Sequence, residues 1–171
     1  MFAAPYRAWL IVVATALMAV MSAVPAPAFG APAELPYFVS LKSSITNVRV
    51  GPGFSYPVKW VFKRARWPVE VVYRYGNWRR IRDNTGAVGW IHAVMLSDRR
   101  FAAIRVRGGR LVDLREAASS KAQLLARLEA NVLVRPTSCR QGWCHVQVVG
   151  HGLEGFVPEI RLWGVYPAEI F

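Results

Sequence analysis

Short runs in which apolar and polar residues alternate dominate the chain from residue 37 onward. The clearest runs cover residues 46–50, 69–75 and 78–82, and each stops near a turn rich in Gly, Pro, Asn or Asp. Alternation with a period of two is typical of β-strands that bury one face. Strands recurring about every 8–12 residues with turns between them indicate an all-β barrel or sandwich. Only residues 119–128 leave open a choice between helix and loop.

The second half of this pattern repeats the first. The matched segments, with their offsets, are residues 48–50 with 112–114 (64), 68–71 with 131–134 (63), 77–81 with 142–146 (65) and 86–91 with 152–157 (66). An internal repeat of this kind predicts two structural units, near residues 37–98 and 101–167. Because residues 97–100 form the whole link between them, we expect the two units to pack on each other.

The N-terminus has the three-part layout of a secretory signal peptide. Arg7 precedes an apolar stretch over residues 8–24, and small residues with prolines follow. We predict a signal peptide over residues 1–28 with cleavage after Ala28, Gly30 being a rival site, and a linker over residues 29–36. The expected location is periplasmic or secreted, with no membrane span after cleavage. The alternative is an uncleaved anchor in the inner membrane.

The net charge is strongly positive. Lys and Arg number 22 against 10 Asp and Glu, for a formal charge of +12. Residues 37–98 carry +7 of it and residues 101–171 carry +3. In an exported protein, nucleic acid is not the expected partner. Anionic envelope polymers, acidic phospholipid surfaces or an acidic protein fit this charge better.

Several motifs of the first unit closely resemble the bacterial SH3 (SH3b) domain pattern. They are residues 47–58, which contain Gly51-Pro52-Gly53, then residues 68–71, Asn77-Trp78 and Gly89-Trp90-Ile91. The second unit resembles a degenerate copy that lacks the Gly-Pro-Gly turn. The resemblance implies two tandem five-stranded SH3-like barrels, as in small exported proteins of Gram-negative bacteria. It also implies a non-catalytic binding role, often on peptidoglycan or its stem peptides.

Strand alternation selects candidate ligand-binding residues in the first unit. If Ile81 points inward, Trp78, Arg80 and Arg82 share the opposite face, where an aromatic ring beside guanidinium groups suits an anionic or sugar ligand. Tyr56 and Trp60 are further candidates. The alternative is that Trp78 seals the barrel end or the joint between units. Predicted core residues are Ile81, Ile91 and Leu96, with Val146, Val157 and Leu162 as their equivalents. Gly51 and Gly53 allow positive φ on either side of a proline that fixes its own φ.

Two cysteines, Cys139 and Cys144, flank the turn before Trp143. In an oxidising compartment this short spacing predicts a disulfide. A zinc site with His145 and His151 is the alternative. A catalytic cysteine is not expected, because the chain is too short to add a catalytic domain.

The leading hypothesis is an exported binding module that attaches to cell-wall peptide or glycan, chiefly through the first unit. The alternative is a scaffold that binds another envelope protein through the basic aromatic face. An enzyme is not expected, because paired carboxylates, a serine elbow and a Gly-rich phosphate loop are all missing from the sequence. No catalytic residue, cofactor or metal is predicted.

Overall fold

The computed structural model describes residue 1, residues 34–106 and residues 108–169. Residues 2–28 of the predicted signal peptide, with its cleavage site, and residues 29–33 of the predicted linker lie outside this part of the chain. Within the described residues, no helix has the length and apolar character needed to cross a membrane.

The first unit, here called barrel one, is a single antiparallel sheet of seven strands. A 3-10 turn at Ala93–Met95 divides its last strand. The strands are β1 (Tyr37–Leu41), β2 (Thr46–Arg49), β3 (Val58–Phe62), β4 (Pro68–Tyr75), β5 (Trp78–Arg82), β6 (Val88–His92) and β7 (Leu96–Ser97). Their order in the sheet is β3-β2-β6-β5-β4-β1-β7. The structure therefore has seven strands where five were predicted. The 3-10 turn separates β6 from β7, and β3 is a further strand that pairs with β2.

The second unit, barrel two, repeats this architecture. Its strands are β8 (Ala102–Ile104), β9 (Val112–Arg115), β10 (Leu124–Leu128), β11 (Leu133–Arg140), β12 (Trp143–Val148), β13 (Glu154–Pro158) and β14 (Leu162–Trp163). The sheet order β10-β9-β13-β12-β11-β8-β14 matches that of barrel one. The segment left open between helix and loop contains strand β10, because pairing with β9 satisfies its backbone and outweighs weak local preferences.

The structure corrects the register of the repeat. Arg66 and Asn131 both have positive φ, and their backbone N–H groups bond to Leu41 and Ile104 at equivalent places, so the offset there is 65 and not 63. Arg49 pairs with Trp90 as Arg115 pairs with Phe156, an offset of 66 and not 64. A slip of two residues leaves every side chain on its original face. Apolar alternation therefore could not separate the two alignments.

The predicted core residues lie inside the barrels. Ile81 and Ile91 are fully buried in barrel one, and their equivalents Val146 and Val157 are fully buried in barrel two. The third predicted pair differs between the barrels. Leu162 is buried, whereas its barrel-one counterpart Leu96 is only partly buried against the core.

Two glycines of barrel one are required by close packing. A Cβ at Gly89 would lie 2.4 Å from Cγ1 of Val48, so the close approach of β6 to β2 needs a glycine. A Cβ at Gly51 would lie 2.5 Å from the ring of Tyr56. Neither Gly51 nor Gly53 uses the positive φ that a glycine allows. The Gly-Pro-Gly turn instead leaves room for the tyrosine ring.

The barrels share an interface, as the short link predicted. Ala103 and Leu133 of barrel two belong to the hydrophobic cluster of barrel one. The indole Nε1 of Trp163 donates to the carbonyl of Pro68 at 3.0 Å, and its ring meets Phe38 edge to face at 5.0 Å. The mixed cluster and this long-range hydrogen bond join the two barrels into one packed body.

The two cysteines form the predicted disulfide. Cys139 and Cys144 are directly opposite each other on β11 and β12, and both are buried in the core of barrel two. His145 lies on the other face of β12, where Nδ1 is 2.8 Å from the hydroxyl of Thr137. The zinc alternative needed both thiolates, and here the two sulfurs are bonded to each other. In barrel one, Arg74 and Arg79 occupy the equivalent paired positions.

Candidate functional site

Strand register gathers aromatic side chains on the outer side of β4, β5 and β6. Cross-strand partners in an antiparallel sheet project from the same face. Trp78 is paired with Tyr75 on one side and His92 on the other, and Arg80 is paired with Tyr73 and Trp90. We call these six residues, together with Phe54 from the loop after β2, the aromatic face of barrel one.

Trp78 is the centre of the aromatic face and not an open platform. Only 9% of its surface is exposed, because Phe54 and His92 pack against it with ring centroids 5.1 and 5.3 Å away. Phe54 and His92 also stack on each other at 5.5 Å. All three rings belong to barrel one. Trp78 therefore supports the face, and Phe54, which is 72% exposed, presents it to solvent.

Arg80 is the cation at the middle of this face, and Arg49, the other cross-strand partner of Trp90, is a second cation at its side. The neighbours of Arg80 in register are Tyr73 and Trp90, whose rings meet edge to face at 6.1 Å. Arg80 is exposed, and no acidic partner is found for it among residues 34–106 and 108–169. A guanidinium free to bind beside two aromatic rings can contact an anion and a sugar ring at once.

Tyr56 lies in the same loop as Phe54, and its ring packs against Gly51. Arg49 fixes this loop, because its Nη1 donates to the carbonyl of Tyr56 at 2.6 Å. The same guanidinium lies 5.8 Å from the ring of Phe54. The loop that carries Phe54 is thus held on the sheet by a hydrogen bond and a cation–π contact.

Trp60 and Arg82 are not brought to the aromatic face. Trp60 is opposite the fully buried Val48, so its ring turns toward the barrel interior. Arg82 bonds to the carboxylate of Glu70 at 2.6 Å. The structure therefore groups Trp78 with Arg80, places Tyr56 in the loop that carries Phe54, and separates the other two candidates from them. Ligand binding by any of the five stays a prediction.

The pair formed by Arg82 and Glu70 belongs to the interface between barrels. Glu70 is buried, and its second oxygen accepts a hydrogen bond at 2.7 Å from the hydroxyl of Tyr166, which follows the last strand of barrel two. Burial raises the pKa of Tyr166, and the hydrogen bond to Glu70 raises it further. This network holds the two barrels together.

Apart from Trp78 and Arg80, the members of the aromatic face are not among the five candidates selected from the sequence. Trp90 and His92 alternate with Gly89 and Ile91, so the inward position of Ile91 already predicted that both rings point outward. Phe54 offered no such signal, because it lies in a loop without periodicity. His92 has a local role as well, since its Nδ1 accepts a hydrogen bond from the N–H of Val94.

A family model described as the bacterial SH3 domain matches the chain twice, over residues 42–98 and 108–164. The two matches coincide with barrels one and two. A search of curated protein sequences finds no match.

Three solved structures align with the chain at low sequence identity and low TM-score. NlpC1 from Trichomonas vaginalis is 13% identical with a TM-score of 0.35, over 78% of this chain and 47% of that one. NlpC2 from the same organism is 13% identical with a TM-score of 0.33, over 77% and 49%. An NlpC/P60 family protein from Bacillus cereus is 11% identical with a TM-score of 0.32, over 76% and 57%. The chain spans about half the length of these proteins, and similarity at this level says nothing of its function.

Proposed function

The chain belongs to the bacterial SH3 domain family, and on that premise we propose that it is a non-catalytic binding module of the cell envelope. Its ligand is cell-wall peptidoglycan, either the stem peptide or the glycan, and the aromatic face of barrel one binds it. The observation that carries the proposal is Arg80, an exposed cation without an acidic partner in the described chain, set between Tyr73 and Trp90.

The chemistry of this face supports an anionic carbohydrate or peptide ligand. Tyr73 is 53% exposed and Tyr75 is 62% exposed, so their rings are open to apolar sugar or peptide surfaces. Arg80 supplies charge for a carboxylate. The predicted signal peptide supports placing the protein in the periplasm or outside the cell, where such polymers occur.

A scaffold that binds another envelope protein is the second candidate. It is favoured by the apolar exposure near the same face, where Phe54 is 72% and Val94 is 62% exposed. Exposed apolar residues that cluster on a small domain are typical of protein interaction sites.

Sedimentation with protein-free peptidoglycan sacculi tests the proposal. Arg80→Glu should weaken binding by about 1–2 kcal/mol, roughly five- to thirtyfold, because it removes a charged contact. Tyr73→Ala should weaken it as well. Both side chains are exposed, so the fold should stay intact, whereas Trp78→Ala would disturb the buried centre of the face. Salt should reduce binding, because screening acts over about 8 Å at physiological ionic strength.

Arg110→Glu is the matched control, since it makes the same charge change at an exposed position of the second half. It should bind like the unmodified chain. Equal loss in Arg80→Glu and Arg110→Glu would mean that only net charge matters. No binding of the unmodified chain to protein-free sacculi would contradict the wall proposal and favour the scaffold.

A further inference from the structure

Barrel two contains an open cleft where barrel one carries its aromatic face. Trp143 and Pro158 are paired across β12 and β13, as Trp78 and His92 are paired in barrel one. Together with Ser120 they line a cleft of about 280 Å³. All the residues that line the cleft belong to barrel two, and the function proposed above does not involve it.

One loop residue explains why the cleft is open. The loops after β2 and β9 have the same length, because Arg49 pairs with Val58 just as Arg115 pairs with Leu124. Ser120 is therefore the counterpart of Phe54. Phe54 covers the tryptophan of barrel one, whereas a serine hydroxymethyl group is too small to do so.

Arg161 brings an unpaired cation into this cleft. It ends the 3-10 turn Glu159–Arg161 and lines the cleft beside Trp143. Its Nη1 is buried and has no hydrogen-bond partner within residues 34–106 and 108–169. A charged nitrogen removed from water without a partner is unfavourable, so buried unpaired groups of this kind are uncommon.

The other charges of the cleft are already neutralised. Arg115 donates from Nη2 to the carboxylate of Asp113, and its Nη1 donates to the carbonyl of Ala122 at 2.7 Å. The same carboxylate also faces Arg127 at 3.8 Å. Among the described residues that line the cleft, Arg161 is therefore the charged residue without a partner.

We propose that the cleft of barrel two is a second binding site, which accepts a carboxylate carried by a small apolar group, such as the C-terminus of a short peptide. Arg161 binds the carboxylate, because a guanidinium matches its two oxygens. The ring of Trp143 and the apolar edges of Pro158 and Leu111 contact the apolar group. The volume lies just below the range of about 300–1,000 Å³ typical of small-molecule sites, so one or two residues would fill it.

NMR of the ¹⁵N-labelled full chain tests this site with N-acetyl-alanyl-alanine as the probe. The indole N–H signal of Trp143 should shift and saturate with the acid, and the C-terminal amide of the same dipeptide should leave it unchanged. Arg161→Gln should weaken binding roughly tenfold or more, the value of a lost charge-assisted hydrogen bond. Ser120→Phe should block the cleft while leaving the cation in place.

Arg135→Gln is the control, because this exposed arginine of β11 does not line the cleft. It should bind the dipeptide like the unmodified chain, and Arg80→Glu should do so too. This second control separates the site from the proposed wall-binding face. A Trp143 signal that does not saturate, equal binding of acid and amide, or undiminished binding by Arg161→Gln would overturn the proposal. A clearly lower melting temperature for Arg161→Gln would also overturn it, because the guanidinium would then have a structural partner.

Discussion

Truncation of Trp163 should uncouple the two barrels. Its ring meets Phe38 edge to face, its Nε1 donates to the carbonyl of Pro68, and the guanidinium of Arg105 lies over it at 5.2 Å. Phe38 and Pro68 belong to barrel one, so this one side chain links both units. Trp163→Ala removes all of these contacts.

The expected loss in the free energy of unfolding is the sum of three contacts. An edge-to-face aromatic pair contributes about 0.5–1.5 kcal/mol, and a hydrogen bond contributes about 0.5–1.5 kcal/mol. A cation–π contact at a partly exposed site adds about 0.5–1 kcal/mol. Trp163→Ala should therefore lower the free energy of unfolding by about 3 kcal/mol. Trp163→Phe keeps an aromatic ring against Phe38 but loses the hydrogen bond, so it should lose about 1 kcal/mol.

Urea unfolding followed by NMR amide signals from each barrel measures this effect. The unmodified chain should unfold in one coincident transition, because the hydrophobic cluster of barrel one includes Ala103 and Leu133 of barrel two. Trp163→Ala should lower the midpoint and separate the transitions of the two barrels. Trp90→Phe, on the outer face of barrel one, is the control. Separate transitions in the unmodified chain, or a loss below about 0.5 kcal/mol in Trp163→Ala, would mean that Trp163 does not couple the barrels.

Three further predictions concern pH, redox state and packing. The pKa of Tyr166 is higher in the folded than in the unfolded chain, so its neutral hydroxyl contributes fully to stability below the unfolded pKa of about 10, and this contribution is lost as pH rises above it. In urea unfolding from pH 8 to 11, the free energy of unfolding should decline less for Tyr166→Phe than for the unmodified chain. Equal declines would contradict this. Reduction of the bond between Cys139 and Cys144 should lower the free energy of unfolding by about 2 kcal/mol, whereas an unchanged urea midpoint in dithiothreitol would count against it. Gly89→Ala should lower stability by about 1–3 kcal/mol, because the new methyl group meets Val48; an unchanged melting temperature would show that β6 can move away.

Local alternation was sufficient to predict much of barrel one. Ile81 and Ile91 point inward, and Trp78 and Arg80 point outward, as a period of two requires. The all-β tandem architecture followed from the same alternation, from the turns and from the repeat. These features depend on neighbours along the chain or on a directly paired strand, so sequence patterns report them well.

Long-range partners account for what the sequence did not reveal. Arg82 was grouped with Trp78 because they share a strand face, but its partner Glu70 is held by Tyr166, 96 residues away along the chain. The role of Phe54 depends on a loop that folds back over β5. Residue types and periodicity do not encode either contact.

Titration of the ¹⁵N-labelled full chain with soluble peptidoglycan fragments shows whether the aromatic face of barrel one binds the wall. The indole N–H signals of Trp78 and Trp90 should shift and saturate together, and Arg80→Glu should reduce both shifts. The signal of Trp163 at the interface should stay in place. If the chain sediments with sacculi while the Trp78 and Trp90 signals do not move, the wall ligand binds elsewhere and the aromatic face is not its site.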